Sequence, residues 1–292
     1  MSDSVSVRVP ATSANLGAGF DCLGMALDLW GTITITPAER GENEDPMGHM
    51  ALTAARALFE RTGRAAPPLA ARYVGEIPIA RGLGASAVAR VGGALAANII
   101  AGGPLDGEEL LALVSELEGH ADNAAPALFG GLQVAVVDEG RVLHTAVPIP
   151  AGLSAVLLVP DLRMPTKESR RLLPDRLART DAVHNIGRAA LFVAAMARGR
   201  FDLLDAATDD RLHQRPRSQL FPAMYNIFCA AREAGAHCAY LSGGGSTICA
   251  LATANQREIA AAMLEAAAQR DMAAQTIITS PTTQGAEVVQ GS

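Results

Sequence analysis

Residues 77–96, IPIARGLGASAVARVGGALA, constrain this chain more than any other segment. Pro78 fixes φ behind an apolar strand end, and Gly82 and Gly84 permit a tight loop with φ > 0. Ser86 stands where a helix begins, and Ala87, Val88, Ala89, Val91 and Ala94 make that helix small-sided and closely packable. A glycine-rich turn running into a helix N-terminus aims several backbone N–H groups and the positive end of the helix dipole at one spot, which is an anion site. The segment is not a Walker loop, because the single lysine of the chain, Lys167, lies far from it. Nor is it the dinucleotide fingerprint, since Ala87 holds the third glycine position. An ordinary βα turn with glycines at its corner stays open on this segment alone.

At 292 residues the chain makes one large or two small domains, and 49% hydrophobic against 18% charged residues gives enough apolar material for a core. A formal net charge of −6 argues against nucleic acid or an anionic membrane as partner. Cys22, Cys229, Cys238 and Cys249 lack Cys-x-x-Cys spacing and read as reduced core thiols. The N-terminal residues carry no basic, then apolar, leader pattern, and no run approaches the ~18 apolar residues of a membrane span. These features lead us to expect a cytoplasmic protein.

Val5, Val7 and Val9 alternate with polar residues as in a half-buried strand, which Pro10 is expected to end. A Gly/Asn-rich loop over 11–24 follows, then a strand over 27–37, a polar, acidic loop over 41–46, a helix over 50–61 and a strand over 73–77. A helix over 108–117, paired strands over 132–137 and 142–147, and a strand over 154–159 complete the first half. The patterning divides the chain into residues 1–155 and 156–292. The second half offers a helix over 181–198 with Val183, Ile186, Ala190, Val193 and Ala197 as its core stripe. Further helices over 221–234 and 256–270, strands over 238–241, 248–251 and 273–279, and a tail over 285–289 complete an α+β pattern.

Polar chemistry collects in four places outside the glycine-rich turn. Asp21 stands alone between Phe20 and Cys22; Glu118, His120, Asp122 and Asn123 gather within six residues. Arg170 and Arg217 lie in basic segments of the second half, and Gly243, Gly244 and Gly245 form a loop between apolar strands. Each has a structural reading as well: a turn former, a helix cap, a solvated face and a flexible hairpin. A hard cation that bridges phosphates needs only one or two carboxylate or hydroxyl ligands, which the second cluster can supply.

In order along the chain, these segments resemble the GHMP small-molecule kinases. Residues 78–87 are similar to Pro-x-x-x-Gly-Leu-Gly-Ser-Ser-Ala, with Ala85 in place of the first Ser. Residues 10–21 resemble the opening motif that ends in Gly-Phe-Asp, and 242–247 resemble Ser-Gly-x-Gly-Pro-Thr, with Ser246 in place of Pro. Glu118 to Pro126 is similar to the Glu-Gly-His-Pro-Asp-Asn-Val-Ala-Pro of the homoserine kinase branch. Residues 210–217 resemble its Asp-x-Leu-His-x-Pro-Tyr-Arg, although Arg215-Pro216 departs from it.

The resemblance implies two α/β lobes with the active site in the cleft between them, ATP and Mg²⁺ as cofactors, and L-homoserine as the acceptor, within threonine biosynthesis. It implies that Ile79, Ala80, Arg81, Gly82, Leu83, Gly84, Ala85, Ser86 and Ala87, with Gly243, Gly244 and Gly245, bind the nucleotide. Ser86 and Glu118 would hold the metal, and Asn123 would replace the base that other branches place there. Asp21 would take the substrate ammonium, Arg170 and Arg217 its carboxylate, and Asn15, His120 and Asn123 its remaining polar groups. L-Threonine as acceptor and a catalytically silent binding protein are the competing readings, and a homodimer is consistent with the resemblance.

Overall fold

In the computed structural model, which describes residues 4–38 and 45–291, the alternating runs become two antiparallel sheets. The first sheet runs β10 (Glu287–Gly291), β1 (Val5–Ala14), β2 (Leu23–Pro37), β4 (Leu132–Asp138) and β5 (Arg141–Val147), with β3 (Leu69–Gly75) also on β2. The second runs β7 (Cys238–Leu241), β8 (Ile248–Ala252), β6 (Ser154–Pro160) and β9 (Ala274–Thr279).

Helices α1 (Pro46–Arg61) and α2 (Ala85–Ile100) pack on the first sheet, and α3 (Gly107–Glu118) and α4 (Ala124–Phe129) pack beside them. The small residues of α2 bring backbones together: a Cβ on Gly93 would sit 2.2 Å from the Ala51 carbonyl oxygen of α1. In the second lobe, α5 (Thr166–Arg171), α6 (Arg179–Arg198), α7 (Leu204–Thr208) and α8 (Gln214–Arg217) precede α9 (Met224–Glu233) and α10 (Gln256–Ala268), which cover the second sheet. β6, β7 and β8 are buried on both faces with period two, whereas β9 at the edge is partly exposed. Val156, Leu158, Leu241 and Ile248 pack with Ile227 and Met263 under α9 and α10. Leu157, Tyr240, Cys249 and Leu251 join the core that begins in the first lobe.

Several sequence expectations are corrected. Pro10 does not end β1, which continues to Ala14 through a register shift at Pro10/Ala11, where the irregular pairing accommodates the proline. Most of the stripe expected for α6 faces outward: Val183 is 62% and Ile186 70% exposed and only Val193 packs against the core, whereas Asn185, Phe192, Ala195 and Met196 are buried. Cys229 is exposed, unlike buried Cys238 and Cys249. The 155/156 division falls within β6, and the tail over 285–289 contributes to β10, which pairs with β1 of the first sheet. Of the expected acidic loop over 41–46, residues 41–44 lie outside the described residues. Among the described residues, no helix is long and apolar enough to cross a membrane.

Candidate active site

The glycine-rich turn is as tight as its sequence demands. Gly82 and Gly84 take φ of +80° and +67°, and Gly84 is the N-cap of α2. A Cβ on Gly82 would lie 2.2 Å from the Ser242 carbonyl oxygen, and one on Gly84 would lie 1.9 Å from Thr12 Oγ1. The second lobe supports this loop directly, because Ser242 Oγ donates to the Gly82 carbonyl (2.7 Å) and Thr247 N to the Arg81 carbonyl (2.9 Å). Gly243 N donates to the Ala14 carbonyl at 2.9 Å, so the third glycine loop also rests on the end of β1.

Glu118 is the last residue of α3. Gly119, at φ +79°, turns the chain so that residues 120–123 return toward α2. Ser86 Oγ donates to Glu118 Oε2 at 2.8 Å. The other oxygen, Oε1, lies 2.5 Å from Arg90 Nη1 but out of line for a hydrogen bond, and it has no hydrogen-bond donor among the described residues. A carboxylate only 5% exposed, with one oxygen held by an ion pair alone and a hydroxyl on the other, fits a small hard cation. His120 Nδ1 stands 2.7 Å from Asp122 Oδ1. Burial opposes its positive charge, but Asp122 and Glu118 outweigh that and raise its pKa above 6.5. Asn123 Oδ1 accepts from Thr12 Oγ1 at 2.8 Å, and its Nδ2 donates to Asp122 at 3.2 Å.

Across the cleft, Arg170 grips Asp21 through two hydrogen bonds, Nη1 to Oδ2 at 2.9 Å and Nη2 to Oδ1 at 2.7 Å. The Asp21 backbone, at φ +56°, is fixed by Asn15, whose Oδ1 accepts from Asp21 N (3.0 Å) and whose Nδ2 donates to the Gly243 carbonyl (2.8 Å). Arg217 closes α8 and is 1% exposed, with Nη1 donating to His213 Nδ1 (2.9 Å) and to the Gly243 carbonyl (3.0 Å). His213 Nε2 is 2.7 Å from the Gly17 carbonyl, so these partners assign a neutral ring protonated at Nε2. Burial, with Arg217 adding to it, lowers the His213 pKa despite Asp210. Burial and Arg170 bring Arg217 down to about 10, which leaves it a cation at neutral pH. Despite Arg215-Pro216, the segment is firmly held, because Asp210 accepts from the backbone N–H groups of Leu212, His213 and Gln214. Phe20 lies under both guanidinium groups, at 5.4 Å from Arg170 and 5.5 Å from Arg217.

One cavity of about 510 Å³ collects these groups. Asn15, Asp21, Ser86, Glu118, His120, Asn123, Arg170 and Arg217 all line it, together with Ile79, Ala80, Gly82, Gly84, Ala85, Gly243 and Gly244. Four of the expected nucleotide residues do not. Leu83 and Ala87 are buried in the core, Arg81 pairs with Asp161 at 3.0 Å, and a Cβ on Gly245 would meet Met164 Sδ. Asp122, already noted in the acidic cluster, also lines the cavity, and so do Arg90 and Lys167, to which the sequence assigned no role in the site. Arg90 was legible as the residue one helical turn after Ser86.

The cavity thus brings a glycine-rich loop at a helix N-terminus together with a corner that carries one carboxylate and two guanidinium groups. The model for the GHMP kinases N terminal domain matches residues 49–131, and that for the GHMP kinases C terminal matches residues 192–269. The homoserine kinase of Moorella thermoacetica is 42% identical over 293 aligned positions, covering 97% of this chain and 99% of the relative. A solved homoserine kinase from Cytophaga hutchinsonii superposes with a TM-score of 0.88 at 27% identity, covering 99% and 98% of the two chains. Mevalonate diphosphate decarboxylase from Staphylococcus aureus shares the fold alone, with a TM-score of 0.74 at 15% identity over 99% of each chain. The chain belongs to the GHMP kinase family and, within it, to the homoserine kinases.

Proposed function

We propose that this chain transfers the γ-phosphoryl group of ATP to the side-chain hydroxyl of L-homoserine. The observation that carries this reading is the Asp21–Arg170 pair with Arg217 beside it, in the same cavity as the phosphate loop. An amino acid presents one ammonium and one carboxylate, and such a pair can accept both by exchanging partners. Arg170 and Arg217 then hold the carboxylate, where a planar guanidinium binds two oxygens at once. Asp21 takes the ammonium. The hydroxyl oxygen attacks the γ-phosphorus, the bond to the β–γ bridging oxygen breaks, and ADP leaves.

Phosphoryl transfer through a loose transition state asks mainly for positioning and charge neutralisation. Backbone N–H groups at the start of α2 supply part of that charge, and Ser86 and Glu118 would hold Mg²⁺. When bound, that ion neutralises the β- and γ-phosphates. The Asn123 amide accepts no proton, and the raised pKa of His120 favours its donor form. The hydroxyl proton therefore passes to an oxygen of the transferred phosphoryl group, without a dedicated side-chain base. We further place this activity in the cytoplasm and in threonine biosynthesis, with free small molecules rather than nucleic acid or membrane as partners, and a homodimer as the assembly to test.

ADP release with Mg-ATP, measured across L-homoserine, L-threonine, L-serine and mevalonate, tests the proposal. Fast turnover with L-homoserine alone supports it. Turnover with mevalonate would discard the roles given to Asp21, Arg170 and Arg217, and turnover with none would leave a silent binding protein.

A further inference from the structure

Arg90 belongs neither to the phosphate loop nor to the amino-acid corner, yet it reaches a carboxylate only 5% exposed that lies between them. It follows Ser86 by one helical turn on α2, so both side chains leave the same face and converge on Glu118. Ser86 satisfies Oε2. Arg90 neutralises Oε1 at 2.5 Å without a hydrogen bond, and its own Nε has no acceptor among the described residues. A buried carboxylate oxygen and a guanidinium nitrogen, side by side and both incompletely satisfied, are a costly arrangement. A ligand that brings a cation to the first and an anion to the second would satisfy both at once. A metal-bound polyphosphate does both, and Arg90 lines the cavity in which it would arrive.

We infer that Arg90 is a charge-exchange residue: it stands in for the metal on Glu118 while the site is empty and moves to a phosphate oxygen when metal and nucleotide enter. This rests on the phosphotransfer reading above. Two consequences run in opposite directions. A divalent cation alone must compete with Arg90 for Glu118 and binds weakly, whereas the nucleotide alone gains Arg90 as a charged contact. Metal and nucleotide therefore load together rather than in sequence.

The test uses the full chain carrying Arg90→Met, with Arg90→Gln as a second variant should the first fail to fold, and Arg90→Lys to restore charge. Mn²⁺ binding without nucleotide is followed by electron paramagnetic resonance, and metal-free ATP binding by calorimetry in chelator. Loss of the guanidinium should tighten Mn²⁺ about tenfold and weaken metal-free ATP about tenfold, with Arg90→Lys lying near wild type in both. Two affinities that move together, or do not move, in a folded Arg90→Met or Arg90→Gln variant overturn the inference. If the wild type turns over L-homoserine in that case, only Arg90's role falls. A wild type that binds no Mg-ATP overturns this inference and the phosphotransfer reading together.

Discussion

Asp21 and Arg170, 149 residues apart in sequence, meet across the cleft as a bidentate pair. Each is the other's placeholder. A ligand carrying only one charge would displace one partner and leave the other unpaired, so this pair selects for molecules that carry both. Against L-homoserine, 4-hydroxybutyrate and 3-amino-1-propanol should each lose about 100-fold or more in kcat/KM. Asp21→Asn and Arg170→Met should each lose about 10²–10³-fold, mostly through KM, and steady-state kinetics with the three compounds checks both statements.

Glu118 and Asn123 differ in what they hold. Glu118 holds one oxygen only by its ion pair with Arg90, where a cation can replace the guanidinium, whereas the Asn123 amide is already bonded to Thr12 and Asp122. Glu118→Gln should therefore lower kcat at least ~100-fold and Asn123→Ala about tenfold or less. A rate for Asn123→Ala as low as that of Glu118→Gln would revive a catalytic role for the amide.

Gly82 has no room for a side chain against the Ser242 carbonyl, and its φ of +80° disfavours one in any case. Gly82→Ala should separate the phosphate loop from the third glycine loop, weakening ATP binding by about 100-fold and lowering stability by about 1–3 kcal/mol. Calorimetric ATP titration and thermal unfolding read the two effects separately.

His120 and His213 shift in opposite directions and should give opposite pH slopes. The raised pKa of His120 means that the folded chain holds its proton more tightly than the unfolded one, so this stabilisation is full below 6.5 and fades as pH rises through the folded value. The lowered pKa of His213 means that below 6.5 the unfolded chain takes up a proton that the buried, Arg217-facing ring refuses, and stability falls with falling pH. Thermal unfolding between pH 5 and 8 should lose the first trend in His120→Gln and the second in His213→Gln, and unchanged profiles would contradict the assignments.

The strands and the tight glycine turn into α2 were legible because period-two runs and closely spaced glycines before a small-sided helix each constrain the backbone strongly. Helix α6 was not. Its buried stripe includes Asn185, which donates to Asp210 (2.7 Å) and accepts from Arg211 N (2.9 Å), so a polar residue sits where hydrophobicity would place an apolar one. Among so many alanines, the exposed Val183 and Ile186 then supplied a false stripe. In the site, single residues such as Asp21 and Arg217 were readable from their motifs. Their mutual arrangement was not, since Phe20 beneath two cations and Arg90 against Glu118 are contacts that only the folded chain creates.

The pairing of β10 with β1, which sets Val5 opposite Gly291, has a bearing on synthesis. The first sheet can nucleate early from β1, β2 and β3, but it keeps an open edge until the strand over 287–291 has left the ribosome. Throughout translation, β1 offers unpaired backbone groups to any passing strand. The lobe that is made first is therefore completed by a strand that follows the second lobe.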